Sequence, residues 1–259
     1  MIRLQVNPAF SNLLQSNHLS AYAEIMQTGA GEIVEDNEER DVRRLRLGGQ
    51  VLYLKRTRSE KITSAIESYA RGRLAHSKPV KEMLQFKYLA GNGFDVAAVV
   101  ACGEQLCFGI PQRGFIITAE VSGEDLAGVF QAADASDRIL ILGQFGALLG
   151  RLHARGFYGS TRLKDIIYTG RPDSNPTLTL IDRETRNPYP KRVSAKRIVE
   201  RLLFNIRRQA QQGEIFSEPE WHAFCENYCV SLARASGIQL TGLKQRILDS
   251  LRPRGKLRS

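Results

Sequence analysis

The stretch from Leu149 to Arg186 constrains this chain most. It opens on the end of an apolar helical pattern, Leu152-His153-Ala154-Arg155-Gly156-Phe157-Tyr158. A polar loop follows, Gly159-Ser160-Thr161-Arg162-Leu163-Lys164-Asp165, and runs into the apolar Ile166-Ile167-Tyr168. Further on, Leu178-Thr179-Leu180-Ile181-Asp182-Arg183 reads as a second short strand that ends in a carboxylate. An apolar strand rarely ends in a carboxylate without a task, because the charge must stay solvated or find a partner.

The chain on either side divides in character. Residues 1 to about 20 read as an N-terminal extension of low order, punctuated by Asn7, Pro8, Asn12, Asn17 and His18. From there to residue 120 the pattern is strand-rich. Gly29-Ala30-Gly31 predicts a glycine-bearing loop that leads into strands. Val42 to Leu47 and Val51 to Lys55 alternate around Gly48-Gly49, a tight hairpin signal. Helical composition spans Ser59 to about His76. A helix begins near Pro79, since proline suits a first turn, places Glu82 in that turn and stops at Gly91-Asn92-Gly93. Val96 to Cys102, Leu106 to Ile110 and Gly114 to Val121 read as strands. After Ser122-Gly123 helices dominate: Asp137 to His153, the basic amphipathic Ser194 to Gln212, Glu218 to Ala235 and Thr241 to Leu251. The expected architecture is α+β and bilobal, a β-rich lobe over 21–120 and a helical lobe over 121–259 with a basic tail, joined near 119–123.

The totals narrow the function classes. A chain of 259 residues can bury one large core or two smaller ones. No apolar run approaches about 18 residues, so no membrane span is expected, and the first residues lack a signal peptide's pattern. None of Cys102, Cys107, Cys225 and Cys229 forms a C-x-x-C pair. Cys225 and Cys229 share a helix face, but without further ligands they read as reduced thiols, which points to a cytoplasmic protein. The net charge is +10. Much of the surplus is C-terminal, from Lys191 to Arg208 and in Arg252, Arg254, Lys256 and Arg258. That favours an anionic partner: phosphate groups, an acidic inner-membrane surface or nucleic acid. A solvated basic face is the plain alternative. Nucleic acid is disfavoured, since no aromatic-plus-basic stacking motif or known module is present.

The chemistry-bearing residues fall in an order that phosphoryl transfer uses. Gly29 and Gly31 can let backbone approach phosphates. Lys55, at the end of a strand, can pair them, and Glu82 can hold that lysine. Asp182 can bind magnesium. Each signal alone is weak: two glycines usually make a turn, and a strand-end lysine is usually a surface group. Taken in this order they favour a kinase-like fold.

Several segments resemble the lipopolysaccharide kinases that phosphorylate inner-core heptose or Kdo sugars. They are Gly31-Glu32-Ile33-Val34, Arg43 to Leu47, Leu52 to Arg56, Lys81-Glu82 through Leu89 and Gly93, Ala101-Cys102-Gly103, and Phe115 to Glu120. The most specific are Gly150 to Tyr158 and Leu180-Ile181-Asp182-Arg183. The resemblance covers roughly residues 24 to 210 and implies a protein-kinase-like fold, ATP with Mg2+, and lipopolysaccharide core as the acceptor.

The departures are as informative. After Phe-Tyr the family carries His, one residue, then the catalytic Asp; here those places hold Gly159, Ser160 and Thr161. Five residues past that Asp it carries a metal-binding Asn or His; here stands Ile166. Thr161 cannot act as a carboxylate base and Ile166 cannot bind a hard cation. Asp165 is the loop's remaining carboxylate, one residue out of register. His153 reads as a structural group at a helix end. The expected protein is therefore a pseudokinase of the envelope lipopolysaccharide pathway with a binding or regulatory role. The rivals are an active ATP-dependent sugar kinase using Asp165 and a basic adaptor that binds anionic lipid or nucleic acid without nucleotide. Restoring Asp at 161 and Asn at 166 is the obvious test of the missing chemistry.

Overall fold

A computed structural model describes residues 1–173, 176–183, 187–211 and 216–251, with backbone alone for 208–211, 244, 250 and 251. The chain divides into two units, 1–121 with 182–188 and 122–181 with 189–259.

In chain order the first unit comprises β1 (Ile2–Val6), α1 (Ser11–Ser16), α2 (Tyr22–Gln27), β2 (Glu32–Asp36), β3 (Arg40–Leu47), β4 (Gln50–Thr57), α3 (Ile62–Ala70), α4 (Lys78–Ala90), β5 (Val99–Cys107) and β6 (Ile110–Ala119). Its six strands form one sheet in the order β1-β5-β6-β4-β3-β2. The β3–β4 turn is Gly48-Gly49, both at positive φ (53° and 78°), as a tight hairpin requires.

The first twenty residues are not an extension of low order. β1 pairs antiparallel with β5 from Ile2–Gln105 to Val6–Ala101, so it is the edge strand of the sheet on that side. Leu14, Leu19, Tyr22 and Ile25 pack with Leu45, Leu52, Leu54, Phe115 and Ile117 on one sheet face. Val80 and Phe86 of α4 pack on Cys102 and Ile116 of the other. The asparagines and proline that read as breakers terminate short elements: Asn7 Oδ1 accepts from the Ala9 N–H and Pro8 opens a single helical turn.

Two other expectations need correction. Gly103 and Gly114 read as strand ends, yet both lie inside strands, and the turn falls at Phe108-Gly109. A Cβ on Gly103 would stand 2.8 Å from the Phe115 ring, and one on Gly114 would stand 2.7 Å from the Gly103 carbonyl oxygen. The glycines therefore serve close packing across the sheet. The helical reading of Ser59 to His76 shortens to α3, which stops before Gly72 at φ 65°.

The second unit comprises β7 (Glu124–Asp125), α5 (Leu126–Ala132), α6 (Ala135–Ala154), β8 (Ile166–Thr169), β9 (Thr177–Leu180), α7 (Ala195–Gln211), α8 (Glu218–Ser236) and α9 (Leu243–Leu251). Its small sheet runs β7-β8-β9, all antiparallel. Asp134 caps α6 by accepting from the Asp137 N–H at 2.9 Å. The α6–α8 pair forms the core of the unit. Gly146 and Gly150 let the two backbones meet, since a Cβ on either would fall within 2.5 Å of an α8 carbonyl oxygen. Facing them, Trp221, Phe224 and Tyr228 form a chain of ring contacts.

Candidate functional site

β4 alternates, so Lys55 and its neighbour Arg56 point to opposite faces of the sheet. The Lys55 face meets α4. There the Lys55 ammonium lies 2.9 Å from Glu82 Oε1 and 3.5 Å from Asp182 Oδ1. The expected Lys55–Glu82 pair is thus present. α4 starts at Lys78, one residue ahead of Pro79, so Glu82 sits in its second turn and not its first. Burial opposes the Lys55 charge, but the Glu82 and Asp182 carboxylates outweigh it and hold its pKa above the ordinary lysine value. The result is a fixed ammonium between two carboxylates, about a quarter exposed. Such a group can neutralise phosphate oxygens.

On the opposite face Arg56 is buried and bonded to Asp41, with Nη2 and Nε both on the carboxylate. Its Nη1 donates to the carbonyls of Ile25, Met26 and Thr28. Arg43 extends this cluster, donating to Asp41 Oδ2 at 3.2 Å and to the Gly29 carbonyl at 2.7 Å. Gly29 and Gly31 are thereby anchored on the Arg56 face, ahead of β2, and the structure does not bring them to Lys55. Gly31 has a packing reason of its own: φ is 87° and a Cβ would stand 2.6 Å from the Arg44 carbonyl oxygen. The β2–β3 hairpin, Asp36-Asn37-Glu38-Glu39-Arg40, contains no glycine.

The loop of the second unit departs further from catalytic chemistry. Thr161 is buried, its Oγ1 3.5 Å from the Gly159 carbonyl oxygen. Asp165 is buried and clasped by Arg162: Nη2 to Oδ1 at 2.7 Å, Nε to Oδ2 at 2.9 Å, and the Arg162 N–H to Oδ2 at 3.0 Å. Its carbonyl oxygen accepts from the Ile181 N–H at 3.0 Å, tying the loop to the end of β9. Ile166 opens β8, fully buried and paired with Leu180. The carboxylate that sequence reasoning held in reserve as a base is thus the acceptor of a turn. The signal for this lay in the Arg162-x-x-Asp165 spacing, which suits a reciprocal cap of one helical turn.

His153 is fully buried, with Nδ1 2.7 Å from the Tyr228 hydroxyl and its ring against Tyr158 and Tyr228. It acts as a packing group that joins α6 to α8. Cys225 is buried and Cys229 partly so, and neither is in a disulfide. Among the described residues no cluster of three or more His, Cys, Asp or Glu side chains is placed to hold a metal ion. Asp182 alone fits Mg2+ only if the ion arrives with phosphate oxygens supplying most of its shell, which is its common mode of binding. The tail residues Arg252, Arg254, Lys256 and Arg258 and the side chain of Arg208 lie outside the described residues.

No protein-family model matches the sequence, and no curated protein matches it either. Solved structures do match. WaaP, solved in complex with acyl carrier protein, aligns at a TM-score of 0.61 and 15% identity, over 96% of this chain and 99% of that one. The MAP kinase LmaMPK10 from Leishmania major aligns at a TM-score of 0.40 and 14% identity, over 94% of this chain and 65% of its own. The match to WaaP shows the fold: this chain has the expected protein-kinase-like α+β architecture, with a strand-rich first part and a helical second. The resemblance to lipopolysaccharide kinases read from the sequence holds at the level of that fold.

Proposed function

We propose that this chain is a pseudokinase of the bacterial envelope lipopolysaccharide pathway, which binds ATP and Mg2+ and serves as a binding or regulatory module. Lys55 would pair the phosphates, Glu82 would hold Lys55, and Asp182 would take a Mg2+ ion carried by the nucleotide. The observation that carries the reading is the clasped Asp165 between two buried replacements, Thr161 and Ile166. A general base contributes roughly 10² to 10⁴ in rate, and a magnesium ligand contributes further charge neutralisation. Both are missing from a loop whose remaining carboxylate is committed to its own backbone.

The partner in this reading is an anionic envelope component, lipopolysaccharide core in the first place, met at the cytoplasmic face of the inner membrane. The net charge of +10 supports it, as do Arg197 and Arg201 exposed on α7. Among the described residues no helix is long and apolar enough to cross a membrane. WaaP was solved with acyl carrier protein, so a protein partner of that kind belongs to the same reading.

The test is thermal stability with and without ATP–Mg. A ligand that binds only the folded chain at a hundredfold excess over its Kd stabilises it by about 2.7 kcal/mol. The wild type is expected to gain stability and Lys55→Met to gain none. A wild type indifferent to ATP–Mg would leave the nucleotide-free adaptor as the better account.

A further inference from the structure

The first unit contains a cavity of about 450 Å³ between α3, the start of α4 and the end of β4. Six of its wall residues are cationic and three are acidic. Most of these charges already have partners. Lys55 lies between Glu82 and Asp182, and Arg56 is on Asp41. Lys61 and Lys78 both reach Glu39, each at 3.3 Å. Glu67 holds Arg71 at 2.7 Å, and Glu60 accepts the Lys78 N–H.

Lys81 differs from all of these. It is only 5% exposed, and its ammonium donates to a neutral group, the Ser64 hydroxyl, at 2.8 Å. Among the described residues no carboxylate lies within ion-pair distance of it. Burial pushes its pKa below the ordinary lysine value, and Glu60, Glu67 and Glu104 offset this only from longer range. A buried ammonium without a carboxylate is unfavourable in a folded chain unless something anionic completes it. Lys81 and Ser64 both line the cavity.

We propose that this cavity binds a phosphate-bearing ligand, with the Lys81 ammonium and the Ser64 hydroxyl as its anion subsite. Lys81 supplies the charge, Ser64 orients the ammonium and can donate in turn, and Lys55 lines the same cavity from β4. The subsite is separate from the carboxylate pair around Lys55 and does not depend on Asp182. The phosphate can come from two sources, the nucleotide's terminal group or a phosphorylated sugar, and both present the same dianionic oxygens.

Titration calorimetry on the full chain with inorganic phosphate, ATP–Mg and glucose 6-phosphate tests this. Removing a charge-assisted contact weakens binding by about tenfold or more, and removing a neutral one by about threefold. Lys81→Met is therefore expected to weaken phosphate binding by the larger factor and Ser64→Ala by the smaller. If Lys81→Met does not fold, Ser64→Ala, at a partly exposed position, carries the test alone. With inorganic phosphate weakened, an accompanying loss of ATP–Mg alone identifies the nucleotide as the source, and an accompanying loss of glucose 6-phosphate alone identifies a sugar phosphate; each supports the subsite, whereas inorganic phosphate unaffected by Lys81→Met overturns it. Unchanged affinities in both variants, or no binding of any of the three by the wild type, overturn it. Lys55→Met separates this from the nucleotide reading, because it should remove ATP–Mg binding and leave inorganic phosphate on Lys81.

Discussion

Arg162 holds the carboxylate of Asp165 three residues along its own loop, with Nη2 2.7 Å from Oδ1 and Nε 2.9 Å from Oδ2. A carboxylate in this position accepts for structure and is poorly placed to accept a proton from a substrate. Asp165→Ala is expected to lower stability by about 1–3 kcal/mol, the effect of stripping acceptors from buried or half-buried donors. ATP turnover should not change. Denaturant unfolding alongside a phosphate-release assay checks both halves; a variant as stable as wild type would mean the clasp contributes little.

Restoring the missing groups is expected to fail for a reason the sequence did not show. Ile166 is fully buried in β8, so Ile166→Asn places an amide where an apolar side chain packs against its neighbours. An unsatisfied amide in such a site costs about 1–3 kcal/mol beyond the lost packing. Thr161→Asp adds a carboxylate at a site that is also buried. The double variant should therefore melt well below wild type and remain inactive. A stable double variant with new transfer activity would show that the scaffold still accommodates the chemistry.

Much of this was legible and part was not, and the difference is physical. The β3–β4 hairpin was readable because Gly48-Gly49 demands one turn geometry, and the long helices because their apolar period is 3.6. The Lys55–Glu82 pair followed from one residue on a strand end and one on the next long helix. β1 was in principle legible, since Ile2-Arg3-Leu4-Gln5-Val6 alternates apolar and polar, but the run is only five residues long and is followed at once by the breakers Asn7-Pro8. The sheet glycines misled, since a glycine needed for close approach has the same letter as one that ends a strand. The face on which Gly29 and Gly31 lie is not readable from sequence, because the face of a loop is set by distant partners, here Arg43 and Arg56.

Glu104 should govern part of the acid sensitivity. Burial opposes its charge, but His76, the Ser77 N–H and Arg3 prevail and hold its pKa below the usual carboxylate range. A depressed folded pKa contributes stability above the unfolded value of about 4.3, lost as pH falls through the folded value. Glu104→Gln should therefore reduce stability at neutral pH and flatten its decline below about pH 4. An unchanged acid limb in melting curves across that range would assign the sensitivity to other groups.

The basic second half predicts salt-sensitive attachment to acidic liposomes. Each exposed basic group near an anionic surface contributes about 1 kcal/mol, and that falls off within a Debye length. Arg197→Glu with Arg201→Glu should weaken co-sedimentation at low salt. No sedimentation of the wild type at low salt would favour a merely solvated face.

A kinase-like chain that holds Lys55 between Glu82 and Asp182 but has no free carboxylate in its loop should lack ordinary turnover. The most direct measurement is transfer of labelled phosphate from ATP to lipopolysaccharide core oligosaccharide by the wild-type chain, with Asp165→Ala in parallel. Wild-type transfer is expected near background, with no difference between the two. Robust transfer by the wild type, abolished in Asp165→Ala, would contradict it.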